Sequence, residues 1–420
     1  MRVAIVAESF LPNVNGVTNS VLRVLEYLAK HGHEALVIAP GAREFEEEIG
    51  EYLGFEIIRV PTVRVPLIDS LPIGVPLPSV TSVLREYNPD IIHLASPFVL
   101  GGAAAFAARQ LRIPAIAIYQ TDVAGFSQRY HLAPLAAASW EWIRTVHNTC
   151  QRTLAPSSMS IDELRDHGVN DIFHWARGVD SVRFHPSKRS EELRLSWDAT
   201  GRKKVVGFVG RLASEKGVER LISLSGLEDI QLVVVGDGPE AKYLQQMMPD
   251  AVFTGALGGE ELARTYASLD LFVHPGEFET FCQAIQEAQA SGVPTIGPRA
   301  GGPIDLIDEG TNGLLLDVMG FRENLPTAAR WILDDARHGA MCRAAREGVK
   351  EKTWEALCEQ LFQHYTPRKK QPLCRAACGK GFEAHRDGLR SYTSARPPAQ
   401  PQICTASLHA DICYKYPTFL

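Results

Sequence analysis

Two glutamates, Glu279 and Glu287, have a spacing that suits an extended ligand. They follow an apolar strand-like run, and seven residues lie between them. On one helix they would be roughly 12 Å apart along the axis, at about 1.5 Å rise per residue. Carboxylates that far apart cannot act as acid and base on one atom, but they can contact a hexose and a ribose joined by a diphosphate. The N–H groups of Thr280, Phe281 and Cys282 would open that helix and face the diphosphate. The plainer alternative is a helix with an acidic first turn and one solvated glutamate.

Two cations and two glycine-rich turns follow neighbouring strand-like runs. Arg211 and Lys216 lie five residues apart, and both could reach a pyrophosphate, arginine as a fork and lysine as a point charge. The alternative is a pair of solvated surface cations. The turn that contains Gly236 is also compatible with simple chain reversal. The turn at Gly301 would let a ligand approach the backbone.

The elements that must position these residues alternate between strands and helices. An apolar strand from Arg2 to Ala7, a loop, and an apolar stripe of helical period from about Val17 to His31 begin the chain. The alternation predicts parallel, doubly wound sheets, and it restarts after about residue 185. We place a hinge at residues 177–186, where Gly and Pro interrupt the pattern. The later strands are predicted at Ala35 to Pro40, Glu56 to Val60, Ile91 to Leu94, Ile113 to Tyr119, Lys204 to Val209, Gln231 to Val235, Ala251 to Thr254, Leu271 to His274 and Pro294 to Gly297.

Length and composition exclude several classes of protein. A chain of 420 residues favours two domains. A net charge of −6 argues against a general nucleic-acid binder, so we expect no nucleic-acid partner. The sequence has no apolar run of the roughly 20 residues that a membrane-spanning helix needs. Residues 1–10 resemble a buried strand rather than a secretion signal, and the cysteines before residue 370 are scattered, so we expect a cytoplasmic protein.

From about Thr366 the composition changes to Pro, Arg, Lys, Ser and Cys without an apolar period, which predicts a disordered tail over residues 366–420. The spacing of Cys374, Cys378, Cys404 and Cys413 is too wide for a zinc knuckle, so we expect no metal site there.

Taken together, these motifs resemble retaining GT-B glycosyltransferases of the large family that includes sucrose synthase-like and phosphatidylinositol mannosyltransferase enzymes. The resemblance covers about residues 1–365 and implies two Rossmann-like domains that face a cleft. Within the family, the chain is similar to actinobacterial GDP-mannose-dependent α-mannosyltransferases that act on lipid acceptors. The family resemblance rests on Gly210-Arg211, Glu215-Lys216-Gly217, Val235-Gly236-Asp237-Gly238-Pro239, Phe253-Thr254-Gly255, Glu279 to Glu287 and Ala300-Gly301-Gly302, with Gly178-Val179-Asp180 as the interdomain marker. The narrower similarity to the mannosyltransferases rests on residues 12–20, 93–97, 119–122 and 274–277.

The resemblance implies a role for each matching residue. Arg211 and Lys216 would hold the diphosphate, Glu279 the donor sugar hydroxyls, Glu287 the ribose hydroxyls, and Gly16 would let the first loop approach phosphate and sugar. Gly236 and Gly255 would join Thr280, Phe281 and Cys282 in the donor site.

This chain departs from the family's pattern at two of these positions. Many relatives have His where this chain has Gln120, and Gln can hydrogen-bond but cannot act as a base. Asp122 is the nearby carboxylate, with a substrate role and a turn or helix-cap role both open. Relatives often have Gly at the position of Cys282, which we interpret as a packing residue rather than a thiol of lowered pKa. His93 either lines the cleft or is bonded to a neighbouring loop.

The domain boundaries that we predict are 1–180 for an acceptor domain, 181–350 for a nucleotide-sugar domain, and 351–365 for a helix that packs back on the first. The resemblance implies transfer of mannose from GDP-mannose to a lipid with retention, without a metal or cofactor, by an enzyme in peripheral contact with the membrane. Three alternatives remain: a UDP-sugar-dependent glycolipid synthase, a GT-B sugar-nucleotide epimerase, and an inactive sugar-nucleotide-binding subunit.

Overall fold

The structure is a computed structural model that describes residues 1–13, 15–41, 48–63, 73–74, 79–121, 133–198 and 200–366. The predicted tail therefore lies outside the described residues, apart from Thr366. The strands are β1 (Arg2–Ala7), β2 (Glu34–Pro40), β3 (Glu51–Tyr52), β4 (Phe55–Val60), β5 (Thr62–Val63), β6 (Ile73–Gly74), β7 (Ile91–Ala95), β8 (Ala115–Ile118), β9 (Arg152–Ala155), β10 (Ile172–His174), β11 (Lys204–Val209), β12 (Ile230–Val235), β13 (Val252–Gly255), β14 (Leu271–Val273), β15 (Thr295–Pro298) and β16 (Gly313–Leu316).

Helices connect most of these strands. The α-helices of the described residues are α1 (Gly16–Lys30), α2 (Ser79–Tyr87), α3 (Leu100–Leu111), α4 (Ala133–Thr149), α5 (Ser158–Asp166), α6 (Glu191–Trp197), α7 (Ala241–Met247), α8 (Gly259–Ala267), α9 (Gln283–Ala290), α10 (Pro303–Leu306), α11 (Phe321–Leu333), α12 (Asp335–Val349) and α13 (Trp354–Tyr365). Pro186–Lys188, Ser214–Lys216 and Val218–Leu224 form short 3-10 helices.

The strands form two large sheets, one from each half of the chain. The first has the order β10-β9-β8-β7-β1-β2-β4-β3, with an antiparallel edge pair β3–β4 and parallel pairing elsewhere. The second has the order β13-β12-β11-β14-β15-β16 and is parallel throughout. The strands of these sheets are apolar along their length, so both faces of each sheet have to be covered. Helices provide that cover. The prediction of two doubly wound α/β domains is confirmed.

Each sheet has one point where the strand order reverses, and these points determine where a ligand binds. In the first sheet β1 lies between β7 and β2, and in the second β11 lies between β12 and β14. In open parallel sheets, ligands bind beyond the carboxyl ends of the strands at such a point. Arg211 and Lys216 follow β11, and His274 and Glu279 follow β14, so the second reversal point brings these four residues to one edge.

Helix α13 returns to the first sheet after the second is complete. Its residues Leu357, Cys358, Leu361 and Tyr365 are buried in one core with β1, β2 and α1. Where the chain crosses between the domains for the second time, Val179 N–H donates to the Lys352 carbonyl at 2.8 Å. The two crossings therefore lie side by side.

Six short strands were not predicted. Three of them, β3, β5 and β6, have two residues each. β9 and β10 extend the first sheet and β16 the second. Each has only three or four residues, and β9 and β10 include Arg152, Thr153 and His174, so no long apolar run marks them. Within the described residues, no helix combines the length and apolar character needed to cross a bilayer.

Candidate active site

Lys216 and Glu279 form an ion pair at the second reversal point. The Lys216 ammonium contacts the Glu279 carboxylate, and His274 Nε2 lies 3.3 Å from the same carboxylate oxygen. Burial alone would raise the pKa of Glu279, but the charge of Lys216 and the contact with His274 hold it well below its usual range. Burial likewise opposes the charge on Lys216, yet Glu279 raises its pKa above the usual value. Both groups are therefore ionised at neutral pH.

The segment that carries Glu279 is not helical, which corrects the prediction. Helix α9 begins at Gln283, because Cys282 has a φ of +75°, a value that a helix cannot include. Glu279, Thr280, Phe281 and Cys282 precede the helix, so the 12 Å separation that we worked out along a helix axis does not apply. The N–H groups of Thr280, Phe281 and Cys282 donate no hydrogen bond within the described part of the chain, which leaves them free for a ligand.

Two glycines hold this segment from the next loop. The Gly302 N–H donates to the Glu279 carbonyl at 2.7 Å. A Cβ at Gly301, whose φ is +60°, would lie 2.5 Å from that carbonyl, and one at Gly302 would lie 2.3 Å from the Phe281 carbonyl. These glycines therefore make room for the Glu279 segment itself.

Of the other predicted donor-site glycines, Gly236 is tightly enclosed, whereas a Cβ at Gly255 would meet no atom within 4 Å. A Cβ at Gly236 would lie 1.9 Å from the Gly210 carbonyl, and the Gly236 N–H donates to the Gly255 carbonyl at 2.8 Å. Gly236 thus joins the ends of β11, β12 and β13. Arg211, which follows Gly210, is half exposed and pairs with Glu215 at 3.0 Å.

Contacts from the first domain reach the Glu279 segment through Gln120. The Thr280 hydroxyl donates to the Gln120 carbonyl at 3.0 Å. The Gln120 side chain is buried, and its Oε1 accepts a 3.0 Å hydrogen bond from Arg177 Nη2. Asp122, the other residue predicted from this stretch, lies outside the described residues.

Arg177 is a site residue that the sequence analysis missed, since we read it only as part of the hinge. Its guanidinium is buried, and a Cβ at Gly16 would lie 2.8 Å from its Nη1. The lack of a side chain at Gly16 therefore makes room for Arg177. The signal available in the sequence was an arginine beside a turn at Gly178, between the apolar residues Trp175 and Val179.

Glu287 lies on helix α9, away from the Lys216 ion pair. Burial raises the pKa of its carboxyl group to about 7, against the opposing effects of the Tyr266 hydroxyl and of Arg183 and Arg23. Two other polar residues of α9, Gln283 and Gln286, donate to the carbonyls of Gly178 and Arg177 at 3.0 and 2.9 Å. The helix that carries Glu287 therefore also fixes the backbone at Arg177.

His274, Glu279 and Cys282 offer three ligand atoms within 4.8 Å of one another, a cluster that the sequence analysis did not foresee. The Lys216 ammonium already contacts the carboxylate, so a metal ion at this point would meet a positive charge. Burial also raises the pKa of the Cys282 thiol well above its usual value, which disfavours the thiolate that a metal needs. The donor set therefore does not fit a metal.

His93 is held by helix α13 and not by a neighbouring loop. Its Nδ1 lies 2.6 Å from the Tyr365 hydroxyl, and burial lowers the pKa of the imidazole to about 3. His93 is neutral and structural.

Comparison with known proteins places this chain in one family. The model of the family described as Glycosyltransferase Family 4 matches residues 14–183, and the one described as Glycosyl transferases group 1 matches residues 189–351. A GDP-mannose-dependent alpha-mannosyltransferase of Corynebacterium glutamicum is 87% identical over 365 residues, covering 87% of this chain and 88% of the relative. The protein of the same description from Mycolicibacterium smegmatis is 51% identical over 366 residues, covering 87% and 97%.

More distant proteins also match over most of the chain. A GDP-mannose-dependent alpha-(1-6)-phosphatidylinositol dimannoside mannosyltransferase of Mycobacterium tuberculosis is 28% identical, covering 86% of this chain and 95% of the relative. The crystal structure of Anabaena HepE in complex with UDP superposes with a TM-score of 0.71 at 18% identity, covering 87% and 99% of the two chains. The chain therefore belongs to the family of Glycosyltransferase Family 4 and Glycosyl transferases group 1 proteins, and it is a glycosyltransferase with the GT-B fold.

Proposed function

We propose that this enzyme transfers mannose from GDP-mannose to a lipid acceptor with retention of configuration at the anomeric carbon. The main support for GDP-mannose as the donor is the 87% identity to a GDP-mannose-dependent alpha-mannosyltransferase, together with the ion pair of Lys216 and Glu279 at the reversal point. An identity this high over the described domains leaves few positions at which the donor site can differ.

The charges at the site suit each part of a nucleoside diphosphate sugar. Lys216 and Arg211 supply the positive charge for the diphosphate, and the unbonded N–H groups of residues 280–282 add donors. Glu279 accepts hydrogen bonds from the hexose hydroxyls, and Glu287 accepts those of the ribose. Gly16, Gly236 and Gly255 contribute backbone groups to the donor site, as the family resemblance implies.

Retention fits the state of Glu279. A carboxylate that is paired with Lys216 and has a depressed pKa is a poor general base. The bond between the anomeric carbon and the β-phosphate oxygen breaks, and its electron pair stays on that oxygen. The acceptor oxygen bonds to the anomeric carbon on the same face, and its proton passes to the leaving phosphate. Catalysis then rests on positioning and on stabilising the diphosphate charge, without a metal.

A lipid acceptor requires the enzyme to work in peripheral contact with a membrane surface. The support is the dimannoside mannosyltransferase relative, whose acceptor is a phosphatidylinositol glycolipid by its name. The basic stretch at residues 368–396 would add attraction for anionic lipid, about 1 kcal/mol for each cation near the surface. Vesicle sedimentation of the full chain and of a chain ending at Tyr365 tests whether the residues after Tyr365 contribute to membrane binding. Equal binding of both chains to anionic vesicles would show that they do not.

Binding and turnover measurements test the donor. GDP should raise the melting temperature more than UDP or ADP, because a ligand at 100 times its dissociation constant stabilises the fold by about 2.7 kcal/mol. GDP-mannose should be turned over in preference to UDP-glucose, and NMR of the product should show the α-configuration. Better turnover of a UDP-sugar would make the chain a UDP-sugar-dependent glycolipid synthase. Conversion of the donor without an acceptor would indicate an epimerase, and binding without any turnover an inactive subunit.

A further inference from the structure

Within the described residues, two buried nitrogen donors near the domain crossover lack a hydrogen-bond acceptor. Arg177 is 8% exposed and Gln120 is 6% exposed. Neither Arg177 Nε nor Gln120 Nε2 has a partner among the described residues. A buried donor without an acceptor costs about 1–3 kcal/mol, and such donors are few in native proteins. A bound ligand that carries an acceptor would satisfy both donors.

The charge of Arg177 points to the kind of acceptor. Within the described residues, no carboxylate lies at ion-pair distance from its guanidinium, which contacts only the neutral Gln120 Oε1. Burial lowers the pKa of Arg177 to about 10, and the charge of Glu279 opposes that shift, so the guanidinium stays charged at neutral pH. A buried, charged and unpaired guanidinium fits an anion.

The position of Arg177 shows which anion can reach it. Its backbone is fixed by Gln286 of helix α9 in the second domain, and its side chain points to Gly16 and Gln120 in the first. Gly16 is the first residue of helix α1, whose N-terminus is itself positive. The guanidinium thus lies beside Gln120, whose carbonyl accepts from Thr280 next to Glu279.

We propose that Arg177 is a third cationic contact to the diphosphate of the donor, directed at the β-phosphate, and that Gln120 is the positioning residue that orients it. This inference rests on the proposed function only in requiring a nucleoside diphosphate donor. When the bond to the anomeric carbon breaks, the electron pair stays on the β-phosphate oxygen, and a fixed guanidinium beside it stabilises that charge. Arg211 and Lys216 would hold the phosphate from the second domain, and Arg177 from the crossover.

Calorimetry with GDP and GMP on Arg177→Gln tests the contact, because GMP lacks the β-phosphate. GDP binding should weaken roughly 10- to 100-fold, as expected for a lost charged hydrogen bond, whereas GMP binding should change less than about 2-fold. The kcat for GDP-mannose should fall, and Arg177→Lys should recover part of it. The melting temperature of the free variant should stay level or rise, because a buried unpaired charge has been removed.

Gln120→Glu gives a second route that keeps the arginine. A carboxylate at the position of Oε1 would pair with Arg177 and compete with the phosphate, so the same loss of GDP binding is expected. The matched control is Arg194→Gln. The Arg194 side chain is 13% exposed, and its guanidinium bonds to the Ser268 carbonyl and to Asp270 at 2.7 and 2.9 Å. This control should lower the melting temperature and leave the ratio of GDP to GMP affinity unchanged.

Several outcomes overturn the inference. An unchanged ratio in both Arg177→Gln and Gln120→Glu would show that the β-phosphate does not reach Arg177. Equal weakening of GDP and GMP with a lower melting temperature would show a structural role. Intact GDP binding with a raised KM for the lipid would show that Arg177 contacts the acceptor and not the diphosphate. If the unmutated enzyme binds UDP instead of GDP, the proposed donor is wrong, and the UDP and UMP pair then tests Arg177 in the same way.

Discussion

Replacing Glu279 by Gln should separate donor binding from sugar transfer, because Lys216 pairs with Glu279 in the free protein. A diphosphate that binds Lys216 must compete with this carboxylate. In Glu279→Gln that competition is gone, so GDP should bind at least as tightly as to the unmutated enzyme, and up to about 10-fold more tightly. Transfer should slow sharply, since the hexose loses a charged hydrogen bond worth about 1.5–3 kcal/mol, or roughly 10- to 150-fold in kcat/KM.

The same substitution should lower the stability of the free protein. The side chains of Lys216 and Glu279 are 26% and 19% exposed, so the pair is largely but not fully desolvated. Leaving the ammonium unpaired should cost about 1–3 kcal/mol, below the 3–5 kcal/mol typical of a fully buried pair. GDP should restore most of this loss, because its phosphate replaces the missing carboxylate.

Calorimetry, melting curves and steady-state kinetics on the same preparations test this reasoning. Glu277→Gln is the matched control, because Glu277 lies two residues away and pairs with Arg220 at 2.9 Å with similar exposure. That control should lose stability while GDP affinity and turnover stay close to normal. A 10-fold loss of GDP affinity in Glu279→Gln with the fold intact would show that Glu279 contacts the nucleotide itself, and the assignment of the hexose to it would be wrong.

Two further predictions concern pH and domain contact. The pKa of Glu287 is raised to about 7 by burial, and ribose hydroxyls donate to the ionised form, so GDP affinity should rise with pH up to about 7 and then level off. Glu287→Gln should remove this dependence; an unchanged pH profile in the variant would exclude Glu287. Because the folded-state pKa is raised, its contribution to stability is present at low pH and is lost as the pH rises towards 7. Asp305 accepts hydrogen bonds from the Ser158 N–H and hydroxyl at 2.5 and 2.6 Å across the domains. In Asp305→Ala the free protein should have a larger radius of gyration by small-angle scattering, reduced again by GDP, and an unchanged radius would show that this contact does not hold the domains together.

The sheets could be predicted from the sequence because buried parallel strands are continuous apolar runs. β1 and β11 have the predicted bounds, Arg2–Ala7 and Lys204–Val209. The start of helix α9 could not be predicted in this way. Its position depends on the positive φ of Cys282. It also depends on the approach of Gly301 and Gly302 to the preceding segment. The backbone torsion of Cys282 and this long-range contact are not visible in the local sequence pattern.

The candidate site could be predicted where charged residues follow the ends of predicted strands. Lys216 and Glu279 follow strands that are neighbours in the sheet. Because the carboxyl ends of neighbouring parallel strands lie at one edge, residues that follow these strands can be expected close together. Arg177 was missed because its role depends on burial and on Gln120, which lies 57 residues earlier in the chain. A hinge is usually interpreted through its Gly and Pro residues, and that interpretation overlooked the side chain next to Gly178.

The return of helix α13 to the first sheet has a consequence for how the chain is made. The first core contains Leu357, Cys358, Leu361 and Tyr365, so a ribosome must synthesise the whole second domain before the first can bury the apolar surface that these residues cover. Multidomain chains usually fold one domain at a time from the N-terminus. Here the first domain is completed only when helix α13 has been made, and the surface that α13 covers stays exposed until then. The first domain therefore has to be produced with residues 354–365 to be studied in isolation.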